Sequence, residues 1–75
     1  MTIDVTHIGD VVVLGCTGSL DAETIARFKQ TTQKLVEAGH RRLVMNAAAL
    51  QFVDSMGLGA MISLLRRLKE KGGDL

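Results

Sequence analysis

Proline, tryptophan and tyrosine are absent from this 75-residue sequence, and cysteine occurs once. Without proline there is no proline-rich linker, and no repeat or low-complexity tract breaks the chain, so one small domain is expected. Cys16 alone excludes a disulfide framework. A single thiol without a recognisable signal peptide points to a reducing, cytoplasmic setting. Phe28 and Phe52 are the only aromatic residues, so the core has to be built from Val, Leu, Ile, Met and Ala. A chain of about 60 residues buries only roughly 60% of its unfolded surface, so low stability is expected here. Net charge is +1, which argues against strong electrostatic binding to nucleic acid or to a membrane surface. The first 26 residues carry Asp4, Asp10, Asp21 and Glu23 but no Lys or Arg. That asymmetry suits either a basic partner or a solvated surface. Between Leu43 and Leu65 the only charge is Asp54. A membrane span there would bury Asn46, Gln51, Asp54 and Ser55 in hydrocarbon, so no membrane insertion is expected.

What the chain does contain is a regular succession of apolar patterns. Thr2–Thr6 alternates polar and apolar residues as a half-buried strand does. Ile8-Gly9-Asp10 supplies a turn. Val11–Cys16 is a continuous apolar run, which predicts a strand buried on both faces and hairpinned to the first. Asp21 is a good helix N-cap, Leu20 and Ile25 can form a hydrophobic staple, and Glu23 suits the helix dipole. Ile25, Phe28, Thr32, Leu35 and Val36 share one face, and Gly39 fits the C′ position, so the spacing predicts a helix over about residues 22–38. Arg42–Asn46 reads as a third strand, parallel to the second through a right-handed crossover. Ala47-Ala48-Ala49 extends that strand or forms a turn. A second helix begins with Ser55 or Asp54 as its cap, turns Leu58, Met61, Ile62, Leu65 and Leu68 to the core, and ends at Gly72-Gly73. The order β-β-α-β-α describes an α/β layer, a short mixed sheet with helices packed on it.

Parallel strands place the loops that follow them at the same sheet edge, where open α/β sheets usually carry ligands. Asp21 and the pair Asp54-Ser55 should therefore share one end of the molecule, each at a helix N-terminus. Ser55 has three candidate roles: a helix cap, a nucleophile or a phosphate acceptor. The nucleophile elbow requires G-x-S-x-G, and Val53 occupies the first glycine's place. His7 and His40, the only histidines, fall at strand starts or turns, away from the helix N-termini. Gly57 and Gly59 without a following Lys do not make a phosphate-binding loop. They either allow close helix packing or leave a flat surface that another protein can approach. No metal cluster, cofactor loop or nucleophile–base pair is visible, and neither an enzyme nor a cofactor is expected.

The stretch FVDSMGLG (Phe52–Gly59) resembles the D-S-S-G-L-G signature of the STAS domain found in bacterial anti-sigma factor antagonists. VVVLGCTGSLDAETIARFKQ is similar to that family's second strand, G-x-L-D turn and first helix. RRLVMNAAALQFVDS resembles its third strand, and LLRRLKEKGGDL its second helix and exit. The resemblance spans essentially all of residues 1–75 and implies a STAS-like fold lacking its last strand and helix. It further implies a regulatory binding module that engages an anti-sigma factor acting also as a serine kinase. Phosphorylation would switch the module off, and a phosphatase would reset it. Carried over by motif position, Ser55 is the phosphate acceptor, and Asp21, Asp54, Ser55, Met56 and Gly57 form the partner surface. The same family also supplies stressosome components and transporter subunits, some of which work without phosphorylation. Met56 replaces the second Ser of the signature, which removes a hydroxyl and makes the helix start more apolar. The missing strand would leave an unpaired sheet edge, so weak monomer stability or self-association into a homo-oligomer is expected.

Overall fold

A computed structural model describes all 75 residues. The order is β1 (Thr2–Ile8), β2 (Val11–Leu20), α1 (Ile25–Glu37), β3 (Arg42–Val53) and α2 (Ser55–Glu70), as the apolar patterning indicates. The sheet runs β1-β2-β3, with β1 antiparallel to β2 and β2 parallel to β3. Both helices pack on one face of it. Val12, Leu14, Cys16 and Leu20 of β2 meet Leu43 of β3, Phe28 and Val36 of α1, and Ala60, Leu64 and Leu68 of α2 in a single core.

The sequence pattern departs from this arrangement in four places. First, β2 is buried on one face, not two. Val12, Leu14 and Cys16 are sealed, while Val11 and Val13 are half-buried on a sheet face that no helix covers. A run of β-branched residues fits either situation, because apolar side chains lower the cost of a strand whether or not its outer face is roofed. Second, both parallel strands are longer than their apolar cores. β2 continues to Leu20, and β3 runs through Ala47-Ala48-Ala49 to Val53. The parallel ladder holds these extensions, with register shifts after Gly15 and Gly18.

Third, regular α1 begins at Ile25, after a turn over residues 22–24, instead of at residue 22. The predicted inward face is correct: Phe28, Thr32 and Val36 are buried, and Ile25 and Leu35 pack against them. The buried Thr32 hydroxyl donates to the Phe28 carbonyl at 2.9 Å, so its burial leaves no polar group unpaired. The helix ends in a Schellman motif. Gly39, at φ +100°, donates to Val36, and His40 donates to Leu35.

Fourth, α2 is rotated from its expected setting. Gly57, Ala60, Leu64 and Leu68 form its buried face, whereas Leu58 (54% exposed) and Ile62 (46%) face solvent. The cause is Gly57. A Cβ there would run into the Leu20 carbonyl oxygen and Cγ, so the absent side chain lets the first turn of α2 sit directly on the end of β2. That close approach fixes the azimuth of the whole helix. Asp74 then pairs with β3, accepting from the Leu43 N–H (3.1 Å) and donating to the Arg41 carbonyl (2.8 Å). Beyond that bridge the outer edge of β3 is unpaired.

Candidate functional site

The two acidic turns do meet. The Asp54 N–H donates to the Leu20 carbonyl at 3.1 Å and ties the end of β3 to the end of β2. Asp54 is in extended conformation (φ −91°, ψ −177°), as an N-cap residue should be. Its Oδ1 accepts from the Gly57 N–H at 2.8 Å, which caps α2. Its Oδ2 accepts from the Ala22 N–H at 3.2 Å, in the loop that follows β2. One side chain thus closes a helix and links two loops 32 residues apart in sequence.

Asp21 organises the other loop. Its Oδ1 accepts from the N–H groups of Glu23 (3.0 Å) and Thr24 (3.2 Å), and its carbonyl accepts from the Ile25 N–H at 2.9 Å. Thr24 Oγ1 in turn accepts from the Asp21 N–H at 3.1 Å and donates to the Ser19 carbonyl at 2.8 Å. This reciprocal arrangement is a capping box with Thr in the place usually held by Glu or Gln. Asp21 therefore closes the turn before α1 and is not the helix N-cap its position suggests: that position falls to Thr24, which makes no side-chain cap bond, because the helix begins one turn later.

Ser55 is not a cap. Asp54 fills that role, and Ser55 is the first residue of α2, exposed, with a hydroxyl that takes no part in holding the turn. Met56 beside it is 52% exposed. Gly57, expected on the partner surface, is instead buried under α2 against Leu20. Gly59 is the exposed glycine, with open space where a Cβ would point. Apolar side chains surround this end of the molecule, since Phe52, Val53, Met56 and Leu58 are all exposed.

Neither Thr24 nor the seat that Leu20 gives Gly57 is among the sequence-predicted site features. Thr24 was detectable, because Asp21-x-x-Thr24 has capping-box spacing. The seat that Leu20 offers Gly57 carries no local signature, because the contact joins residues 37 apart.

At the α2 N-terminus, the Gly57 N–H goes to the Asp54 side chain and the Leu58 N–H to the Asp54 carbonyl. The N–H groups of Ser55 and Met56 precede any intrahelical acceptor. The site can therefore offer a free hydroxyl, two N–H groups without an intrahelical partner and an apolar rim. Burial pushes the Cys16 thiol pKa up, but Cys16 lies in the core and takes no part here. No three His, Cys, Asp or Glu side chains gather as metal ligands, and no helix is long and apolar enough to cross a membrane.

Comparison with known proteins agrees with this geometry. The STAS domain family model matches residues 2–75. The anti-sigma F factor antagonist of Paenibacillus polymyxa is 25% identical over 76 residues, a match covering all of this chain and 65% of that protein. The chain thus spans just under two thirds of that curated relative. The phosphorylated form of the Bacillus cell fate determinant SpoIIAA superposes with a TM-score of 0.80 at 22% identity, over 96% of this chain and 67% of that one. An anti-sigma factor antagonist from Mycobacterium paratuberculosis superposes with a TM-score of 0.87 at 25% identity, over 96% of this chain and 62% of that one. With the β-β-α-β-α order, the joined acidic turns and the motif at the start of α2 in place, the chain belongs to the STAS domain family.

Proposed function

We propose that this chain is a cytoplasmic regulatory binding module of the anti-sigma factor antagonist kind, switched by phosphorylation of Ser55. In this reading it binds an anti-sigma factor that is also a serine kinase. The kinase transfers the γ-phosphoryl group of ATP to Ser55 Oγ, ADP leaves, and the complex dissociates until a phosphatase removes the phosphate. The chain acts by binding, not by catalysis.

The observation that carries this reading is the division of labour at the start of α2. Asp54 does the capping, so the Ser55 hydroxyl is free and exposed on a rigid turn. A phosphate brings about −1.5 to −2 charges to a surface that already holds Asp21 and Asp54. A partner packed on the apolar rim would have to desolvate that charge. A loss of about 2.7 kcal/mol lowers affinity a hundredfold. The names of the relatives support the antagonist role, and one of them exists in a phosphorylated form.

The test is incubation with ATP and the anti-sigma factor kinase encoded nearest to this gene, followed by mass spectrometry. A single phosphate on Ser55 is expected. Ser55→Ala should bind the kinase persistently and Ser55→Asp poorly. Phosphate on another residue, or equal binding by the two variants, refutes the switch. The unpaired outer edge of β3 also supports self-association, which sedimentation should detect as a mass that rises with concentration. A constant monomer mass up to about 100 μM would exclude association stronger than about 5.5 kcal/mol.

A further inference from the structure

At the opposite edge of the sheet, β1 and α1 border an open surface groove of about 380 Å³. It arises because α1 covers β2 more fully than β1. Leu14 is completely buried, while its antiparallel partner Val5 is 40% exposed. Val5 and Leu35 give the groove an apolar floor. Arg27, Gln30, Thr31, Lys34 and Leu35, at spacings of three and four, are the flank of α1 that faces it. No carboxyl group lines it. The chain's two ion pairs, Arg42–Asp10 and Lys69–Asp74, leave Arg27 and Lys34 unengaged by any acid. Arg27 is steadied by donating from Nη1 to the Met1 carbonyl at 3.4 Å.

β1 is also an edge strand, paired with β2 on one side only. An edge strand presents N–H and C=O groups able to accept another strand. Its seven residues offer about 23 Å of that edge at roughly 3.3 Å per residue. A strand added there would point alternate side chains into the groove beside Val5, within reach of two cations.

We propose that the β1 edge and the α1 flank form a second docking site, distinct from the Ser55 end, for an extended acidic segment of another protein that adds to the sheet as a fourth strand. Main-chain hydrogen bonds would supply the register, and Arg27 and Lys34 would select acidic over basic sequences. The apolar floor would take one or two small aliphatic side chains. The site is independent of the phosphorylation reading, since none of its residues belongs to the α2 N-terminus.

The probe is an eight-residue acetylated, dye-labelled peptide, followed by fluorescence anisotropy, in which every second residue is threonine and the residues between, which share one strand face, are valine and glutamate in turn. Its control carries lysine in place of each glutamate. The acidic peptide should bind at least tenfold more tightly. Raising salt from about 50 to 500 mM should weaken it several-fold, because the pairing charges are exposed. The double variant Arg27→Glu, Lys34→Glu should abolish binding, whereas Lys69→Glu, Lys71→Glu should not. Both pairs are surface changes, and circular dichroism checks that each variant stays folded. Arg27→Gln and Lys34→Gln should each give an intermediate loss. Amide shifts on binding should fall on β1 and α1. Failure to saturate by 1 mM, insensitivity to the charge reversal, or shifts along the outer edge of β3 would overturn the proposal. So would a concentration-dependent dimer abolished by the same charge reversal, which would assign the seat to a second copy of this chain.

Discussion

Removing the carboxylate of Asp54 tests whether the two acidic turns form one structural unit. In Asp54→Ala the cap of α2 is lost, which costs about 0.5–2 kcal/mol. The bond from the Ala22 N–H is lost as well, at about 1 kcal/mol for a partly exposed group. The sum, about 1.5–3 kcal/mol, is large against the ~4–11 kcal/mol expected for a domain of this length. With a urea dependence of about 1 kcal/mol per molar, the unfolding midpoint should fall by about 1.5–3 M. Asp54→Asn keeps one carbonyl oxygen for the cap but turns an amide group toward Ala22, so it should lose only about 1 kcal/mol, mainly the bond across the loops. If Asn and Ala are equally damaging, Oδ1 and Oδ2 of Asp54 do not divide the cap and the loop link between them. If Ala costs less than about 0.5 kcal/mol, Asp54 holds nothing together. A double-mutant cycle with Asp21→Ala adds a sharper check. The Ala22 N–H that Asp54 binds begins the turn that Asp21 caps, so the two losses should couple by at least about 0.5 kcal/mol. Strict additivity would mean that the turns are neighbours without being partners.

The two glycines of the motif should respond in opposite directions. Gly57→Ala drives a methyl group into the Leu20 carbonyl, which is itself held by the Asp54 N–H, so overpacking of about 1–3 kcal/mol should outweigh a helix-propensity gain of about 1 kcal/mol. Gly59→Ala meets open space and should stabilise by up to about 1 kcal/mol; denaturant titration of both variants measures the difference, and a stabilised Gly57→Ala would disprove the close approach. Cys16 should resist alkylation in the native state and react only on unfolding, because the thiol is buried and its pKa is raised. A raised folded-state pKa means stability is intact below the ordinary thiol range and is lost as pH climbs from about 8.5 toward the folded value, so Cys16→Ala should show a shallower alkaline decline than the parent.

How legible each feature was depends on the range of the interaction that decides it. The turn that Asp21 closes and the Schellman stop of α1 were readable because each is settled within a few residues of Asp21 and Gly39. The meeting of Asp21 with Asp54 was readable at one remove, since parallel strands force their following loops to one edge. The facing of α2 was not. Leu58 and Ile62 satisfy a helical apolar stripe as well as Leu64 and Leu68 do, and the choice between stripes was made by Gly57 settling on Leu20, a contact with no local sequence signal. The outer face of β2 failed for a related reason. Val11 and Val13 show that β-branched residues prefer a strand, and not that anything roofs them.

The assignment of the cap bears directly on how a phosphate at Ser55 would act. Were Ser55 the N-cap, phosphorylating it would sacrifice the bond that begins α2, and the switch would work by loosening the helix. With Asp54 capping, the phosphate would sit at the first helical position, beside the Ser55 and Met56 N–H groups that have no intrahelical partner. Those groups and the helix dipole favour a dianion there by about 0.3–1 kcal/mol, and repulsion from the Asp54 carboxylate opposes it by a similar amount. Folding should therefore be nearly indifferent to the modification while partner binding falls by a factor of a hundred or more. Urea unfolding of the phosphorylated and unmodified forms separates the two mechanisms. Midpoints within about 1 M of each other support a switch that acts at the surface. A phosphorylated form that unfolds several molar earlier would mean that the modification works by melting α2.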